Sequence, residues 1–247
     1  MRRIVRALQT SRRTPGWPPL TMLFWWNGVR GCLWFAFKML YRLRLEGEEN
    51  VPRTGPIIYV ANHQAHMDPC IVGILVGDRA FSGMARKTLF TNPILSWMMR
   101  GIGVIALDQS KGDTAAMKAG LAELEAGRCL LIFPEGTRTR DGAVHKFKPG
   151  AALLIRRSGA PVVPVAIEGA YDIWRIGTPR PKLTGRLAVR AAPMVSAEEV
   201  LRGGVEAGLQ RLHDQIDAMR LELRLRLRRE SGGRYPAPSA GDANPAA

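Results

Sequence analysis

From residue 42 onward, short apolar runs alternate with stretches of helical spacing. Residues 42–46 alternate polar and apolar side chains, the period of a half-buried strand. Residues 50–56 are rich in turn formers and read as a connector. Residues 57–61 are continuously apolar, the mark of a strand buried on both faces. Asp68-Pro69 then opens a helix through Val76, with the aspartate as N-cap and proline at the first helical position. Further core strands are predicted over 80–85, 104–107, 129–133, 161–167 and 187–191. Helices are predicted over 93–100, 114–125 and 151–157, the last two closed by Gly127 and by Ser158-Gly159. Ser196-Ala197-Glu198-Glu199 is a capping box for a C-terminal helical region that Gly203-Gly204 interrupts. Leucine alternates with charge over 221–229, a strand period that predicts an extended helix end. Strands alternating with helices give an α/β fold, with a mixed, largely parallel sheet flanked by helices.

The termini depart from this pattern. Residues 20–43 are apolar and aromatic, with Trp25, Trp26, Trp34, Phe35, Phe37 and Tyr41, but Arg30 and Lys38 interrupt them. A spanning helix wants about twenty mostly apolar residues and is penalised by a central arginine. An interfacial helix tolerates that arginine and favours tryptophan at headgroup depth. Residues 1–41 are therefore expected to form a basic, aromatic, membrane-associating helical segment. A helix packed on the core and a single span are the alternatives. Should it span, the five arginines before it would hold the N-terminus in the cytoplasm; the cytoplasmic face of the membrane is expected, and a secretory signal is not. Residues 42–230 form the main domain. From 231 to 247 glycine, proline, serine and alanine dominate, which predicts a disordered tail.

A net charge of +15 points to phosphate-rich partners. A nucleic-acid module is disfavoured, because no helix-turn-helix, zinc spacing or aromatic stacking block is present. An anionic membrane surface remains. Cys32, Cys70 and Cys129 are far apart in apolar neighbourhoods and read as buried hydrophobes, with no metal-ligand spacing.

Two segments carry chemistry. In Asn62-His63-Gln64-Ala65-His66-Met67-Asp68, His63 and Asp68 stand five apart. On an ideal helix that spacing separates them by about 140°. They meet only if His63 lies in the turn before the helix. Fixed by the carboxylate, the imidazole would take a proton from an alcohol. The plainer alternative makes Asp68 a cap and His63 a turn residue. In Phe133-Pro134-Glu135-Gly136-Thr137-Arg138, a glycine turn presents Thr137 and Arg138 to an oxyanion, with Glu135 orienting Arg138 or bonding a substrate hydroxyl. A surface loop with a local ion pair is the alternative.

With these blocks the chain resembles the lysophosphatidic-acid (1-acyl-glycerol-3-phosphate) acyltransferase family. Gly103-Val104-Ile105-Ala106-Leu107-Asp108 and Val163-Pro164-Val165-Ala166-Ile167 match two more of its blocks, and Lys87 and Asn92-Pro93 also fit. The likeness covers about residues 40–195.

The resemblance implies that His63 is the general base and Asp68 orients it. Glu135, Gly136, Thr137 and Arg138 would hold a phosphorylated acceptor, and Lys87 belongs to the same substrate site. Pro164 would shape the acyl side of the pocket. Backbone N–H groups near the helix after Asp68 would stabilise the oxyanion. The donor would be acyl-CoA or acyl-carrier protein as co-substrate, with no other cofactor and no metal. The acceptor would be a lysolipid, the product phosphatidic acid for phospholipid biosynthesis. One position departs from the family: Gln109 stands where an arginine usually helps bind the acceptor phosphate. Lys111, two residues on, could compensate, as could Lys87 or Arg138. A different head group, such as a lyso-ornithine lipid, is the alternative acceptor, and a non-enzymatic basic membrane-binding module the alternative class.

Overall fold

A computed structural model describes residues 20–242, apart from 92, 94–95, 97–98, 100–103 and 108–111. Gln109, Lys111 and the two ends of the 103–108 block, Gly103 and Asp108, lie outside the described residues, as does most of the helix expected over 93–100.

Among the described residues, six strands form the main sheet, in the order β1 (Arg44–Glu46), β8 (Ala188–Ala191), β7 (Val162–Glu168), β2 (Ile58–Ala61), β6 (Cys129–Ile132) and β3 (Phe81–Ser82). Only the β7–β8 pair is antiparallel; the others run parallel, giving the mixed, largely parallel sheet. The central strands are buried along their whole length, as their continuous apolar runs require.

The helices cover both faces. On one face lie α1 (Leu20–Tyr41) and α2 (Asp68–Leu75), whose Ile71, Val72, Ile74 and Leu75 are buried. Burying each such side chain contributes about 1.5–3 kcal/mol. Gly73 leaves room for the Trp26 indole, which would meet an added Cβ at 3.4 Å. On the other face lie α3 (Gly112–Glu125), α4 (Pro149–Ser158), α6 (Ala197–Leu201) and α7 (Val205–Glu230). A single turn, α5 (Ala170–Ile173), follows β7. Ser196 caps α6 by accepting from the Glu199 N–H at 3.1 Å.

Helix α1 divides the two readings of its sequence. Trp26, Phe37 and Tyr41 are buried against the core, and Trp26 Nε1 donates to the Gly77 carbonyl at 2.8 Å. Trp34, Phe35, Met39 and Leu40 are exposed. Among the described residues no helix is long and apolar enough to cross a membrane. Cys129 is buried as expected, but Cys32 is exposed.

Several elements differ from the sequence pattern. The strand expected over 80–85 splits at Gly83, with Phe81–Ser82 in the main sheet. Met84–Arg86 (β4) instead pairs with Ile105–Leu107 (β5) in a separate two-stranded sheet. The 104–107 run is therefore not a core strand: it stays short and its Ala106 is exposed. The helix end expected over 221–229 is present as continuous helix in α7, in spite of its strand period. There Leu223 and Leu227 are buried one turn apart, while Arg220 and Arg224 occupy buried positions that a leucine would usually take.

Residues 231–242, expected to be disordered, pack onto α7 and the end of β7. Tyr235 Oη donates to the Gly169 carbonyl at 2.8 Å. Arg220 donates to the Gly241 carbonyl at 2.7 Å, and Arg224 reaches Ala237, Ser239 and Asp242. The segment has few apolar side chains, but buried arginines satisfy its carbonyls and carboxylate, a source of order that composition does not register.

Candidate active site

Strands β2 and β6 are adjacent and parallel, with Val60 opposite Ile132. Their following loops therefore leave the carboxyl edge of the sheet side by side. This register brings Asn62-His63 next to Phe133-Pro134, about seventy residues apart in sequence, at the edge where sheets of this class gather ligands.

Asn62 extends the sheet beyond the end of β2. Its amide donates to the Ile167 carbonyl at 3.0 Å and accepts from the Ile167 N–H at 2.8 Å. The chain then turns before α2, as the five-residue spacing of histidine and aspartate demands. His63 Nδ1 lies 2.8 Å from Asp68 Oδ2. An ionised carboxylate only accepts, so Nδ1 carries the proton and Nε2 is left to take another. The imidazole stacks on Phe133 at 4.0 Å between centroids, with an interplanar angle of 17°. Its side chain is 20% exposed, while Asp68 is fully buried.

Asp68 is not the helix cap that the sequence suggested. It is the first residue of α2, and Met67 is the capping position. The carboxylate points back instead, accepting from the Gln64 N–H at 2.5 Å and the Ala65 N–H at 2.8 Å. One oxygen thus fixes both the imidazole and the turn that carries it. The α2 N-terminus lies beside this charge, which its dipole favours. The N–H groups of Gln64 and Ala65 are committed to Asp68, so oxyanion donors must come from elsewhere on the turn or helix.

Glu135 has a different place from the one expected. Its Oε1 accepts from the His63 N–H at 2.8 Å and its Oε2 from the His145 N–H at 3.0 Å. The Thr139 N–H donates to the His63 carbonyl at 2.8 Å. The 135–139 turn therefore grips the main chain of His63 on both sides. Burial pushes the Glu135 carboxyl up to about 7, against the pull of the His145 and His63 N–H groups. Each oxygen accepts from a backbone donor, so Glu135 holds the main chain that carries the base.

Gly136 and Thr137 form the exposed tip of this turn, and Arg138 is half-buried. Gly136 has φ 73°, and an added Cβ would sit 2.5 Å from Lys148 Nζ. Lys148 thus lies over the glycine, and its N–H donates to the Pro134 carbonyl at 2.9 Å. Burial, then the Arg138 charge and His63, hold the His66 imidazole below its ordinary pKa. His66 packs edge-on against Trp174 at 5.3 Å.

The other expected site residues belong to other elements. Lys87 is exposed at the start of a 3-10 turn after β4. Pro164 is buried within β7, in register with Val60, inside the sheet rather than in a loop. Among the described residues no group of three or more His, Cys, Asp or Glu could hold a metal ion.

Sequence reasoning missed a buried network behind the base. Gln64 accepts from the Tyr171 N–H and donates to Glu168, both at 3.2 Å. Glu168 is held by Arg224 at 2.5 Å and Arg220 at 3.5 Å, and Arg220 also binds Asp217 at 2.6 Å. The residue next to His63 is thereby tied to α7.

The acyltransferase family model matches residues 42–168, more than half of the chain. The chloroplast 1-acyl-sn-glycerol-3-phosphate acyltransferase LPAT1 of Arabidopsis thaliana is 32% identical over 59% of this chain and 42% of its own length. The mouse 1-acyl-sn-glycerol-3-phosphate acyltransferase alpha is 29% identical over 69% of this chain and 61% of its own length. The chain thus spans less than half of the chloroplast relative. The crystal structure of the 1-acyl-sn-glycerophosphate (LPA) acyltransferase PlsC of Thermotoga maritima superposes with a TM-score of 0.60 at 25% identity, covering 88% of this chain and 98% of that one. The family match spans both His63-Asp68 and the 133–138 turn, and the chain belongs to the acyltransferase family.

Proposed function

We propose that the protein moves a fatty acyl group from acyl-CoA or acyl-carrier protein to the free hydroxyl of 1-acyl-sn-glycerol 3-phosphate, giving phosphatidic acid. The single observation that carries this is the His63–Asp68 pair at 2.8 Å, set at the sheet edge with Nε2 as the remaining acceptor. His63 Nε2 takes the acceptor hydroxyl proton as the oxygen attacks the thioester carbonyl. The tetrahedral intermediate collapses, the C–S bond breaks, and His63 returns the proton to the departing thiolate. Such positioned proton transfer contributes about 10²–10⁴-fold to a rate.

Arg138 and Lys148 are the cations beside the turn and suit the acceptor phosphate, Arg138 through its planar fork. Membrane association on the cytoplasmic face belongs to the same proposal. It is supported by the exposed aromatic face of α1 and the net charge of +15. Gln109 in place of an arginine favours a second acceptor, a lysolipid with another head group such as lyso-ornithine lipid. An acyl-transfer assay with acyl-CoA against a panel of lysolipids, run with wild type and His63→Ala, decides between them. Activity on none of the panel, or equal activity of the variant, overturns the proposal.

A further inference from the structure

The loop over residues 174–186, between α5 and β8, contains Arg175, Arg180, Lys182 and Arg186 and no acidic residue. Its Leu183 is 77% exposed, the highest value for a large apolar side chain among the described residues. Arg186 pairs with Glu230 at 3.6 Å and Arg175 lies over the Tyr171 ring at 4.9 Å. Arg180 and Lys182 project into solvent.

Both ends of the loop are anchored. The Lys182 carbonyl accepts from Tyr41 Oη at 3.0 Å, at the carboxyl end of α1. That end of α1 also exposes Phe35, Met39 and Leu40. At the other end the Trp174 indole packs on His66 and donates to the Thr178 carbonyl at 3.1 Å. The loop therefore runs from the exposed apolar end of α1 to the edge of the His63–Asp68 turn.

We propose that this loop is a bilayer-contact surface, with Leu183 entering the headgroup–acyl boundary and Arg180 and Lys182 resting on anionic lipid phosphates. A single apolar tip flanked by the exposed Arg180 and Lys182 matches a surface that is anionic outside and apolar a few ångströms beneath. A nucleic acid offers the same phosphates but no apolar layer to receive Leu183. Resting on the lysolipid reading above, the loop also gives the acceptor a path along Trp174 to the base without leaving the lipid.

The test places a polarity-sensitive fluorophore on Leu183→Cys in a Cys32→Ser chain. Cys129 is buried, and burial holds the Cys70 thiol up at about 11, so neither competes for label. A control label sits on Glu198→Cys in α6, which packs on the opposite face of the sheet from α1. With vesicles of phosphatidylglycerol and phosphatidylcholine, the label at 183 shifts to the blue and is quenched by lipids spin-labelled high on the acyl chain, while the label at 198 is not. A water-like label at 183 on vesicles that bind the protein overturns the loop contact and leaves acyl transfer standing. Failure to bind vesicles, with lysolipid turnover in micelles intact, overturns it equally. Quenching at 183 without any turnover supports the contact and sinks the acyltransferase reading instead. Replacing Arg180 and Lys182 together by alanine weakens vesicle partitioning by about thirtyfold. Turnover of a short-chain, monomeric lysolipid stays unchanged in that variant, and an unchanged partition coefficient overturns the role of the cations.

Discussion

Glu135 accepts a hydrogen bond from the backbone N–H of His63 at 2.8 Å, and its other oxygen accepts from His145 at 3.0 Å. Glutamine has one acceptor and would turn its NH₂ toward one of those donors. Leaving such a buried N–H unpaired costs about 1–3 kcal/mol. Glu135→Gln is therefore expected to lose stability in urea denaturation and to lower kcat with little change in either KM. A rise in acceptor KM alone would show that Glu135 contacts substrate instead.

The same carboxyl gives a pH signature. Burial raises it from 4.5 to about 7. A group with a raised folded pKa stabilises the fold fully below its unfolded value and loses that contribution as pH rises through the folded one. The Glu135 contribution is thus present at pH 4.5 and gone above about 7. Thermal melts of wild type against Glu135→Gln across this window test the sign: wild type's advantage over the variant must shrink as pH rises.

His63→Ala is expected to lower acyl transfer by about 10²–10⁴-fold, the range of a positioned general base. Its fold should be unchanged by circular dichroism, because the 135–139 turn and Asp68 hold the main chain of this segment. Near-normal turnover would remove His63 from the chemistry.

Lys148→Ala tests the cation over Gly136. We expect KM for lysophosphatidic acid to rise about tenfold, the loss of one charge-assisted hydrogen bond. KM for the thioester donor should not move. Equal change in both would place Lys148 outside the acceptor site.

Glu168→Ala leaves Arg220 and Arg224 facing each other in a buried site without their shared carboxylate. Removing one partner of such a cluster costs about 3–5 kcal/mol. Chemical denaturation measures it directly, and a loss below 1 kcal/mol would show that the remaining acids compensate.

The α/β order was legible because buried parallel strands leave continuous apolar runs and their helices end at glycine. The His63–Asp68 turn was legible because a helix cannot bring those positions together. The split at Gly83 was not, since the apolar run continues across it while its two halves join different sheets. Nor was the grip of Glu135 on His63. Its donors are main-chain N–H groups, identical at every position, so no residue type marks them. Lys148 escaped notice because its nearness to Gly136 depends on how α4 begins. The arginines of α7 were hidden by their own charge, which reads as solvent-facing until Glu168 and Asp217 are placed beside them.

The sheet order has one more consequence. The chain leaves the main sheet after β3, its edge strand, and returns in β6 immediately beside it. Everything between, including β4, β5, α3 and the positions of Gln109 and Lys111, is an excursion whose two ends are fixed neighbours. Within it α3 keeps its apolar face on the sheet, with Leu124 buried, while the stretch before α3 can change without moving His63 or the 133–138 turn. On the proposed reading of Gln109, head-group preference travels with this segment, and grafting residues 83–128 between relatives, with the α3 core positions kept, is expected to transplant it.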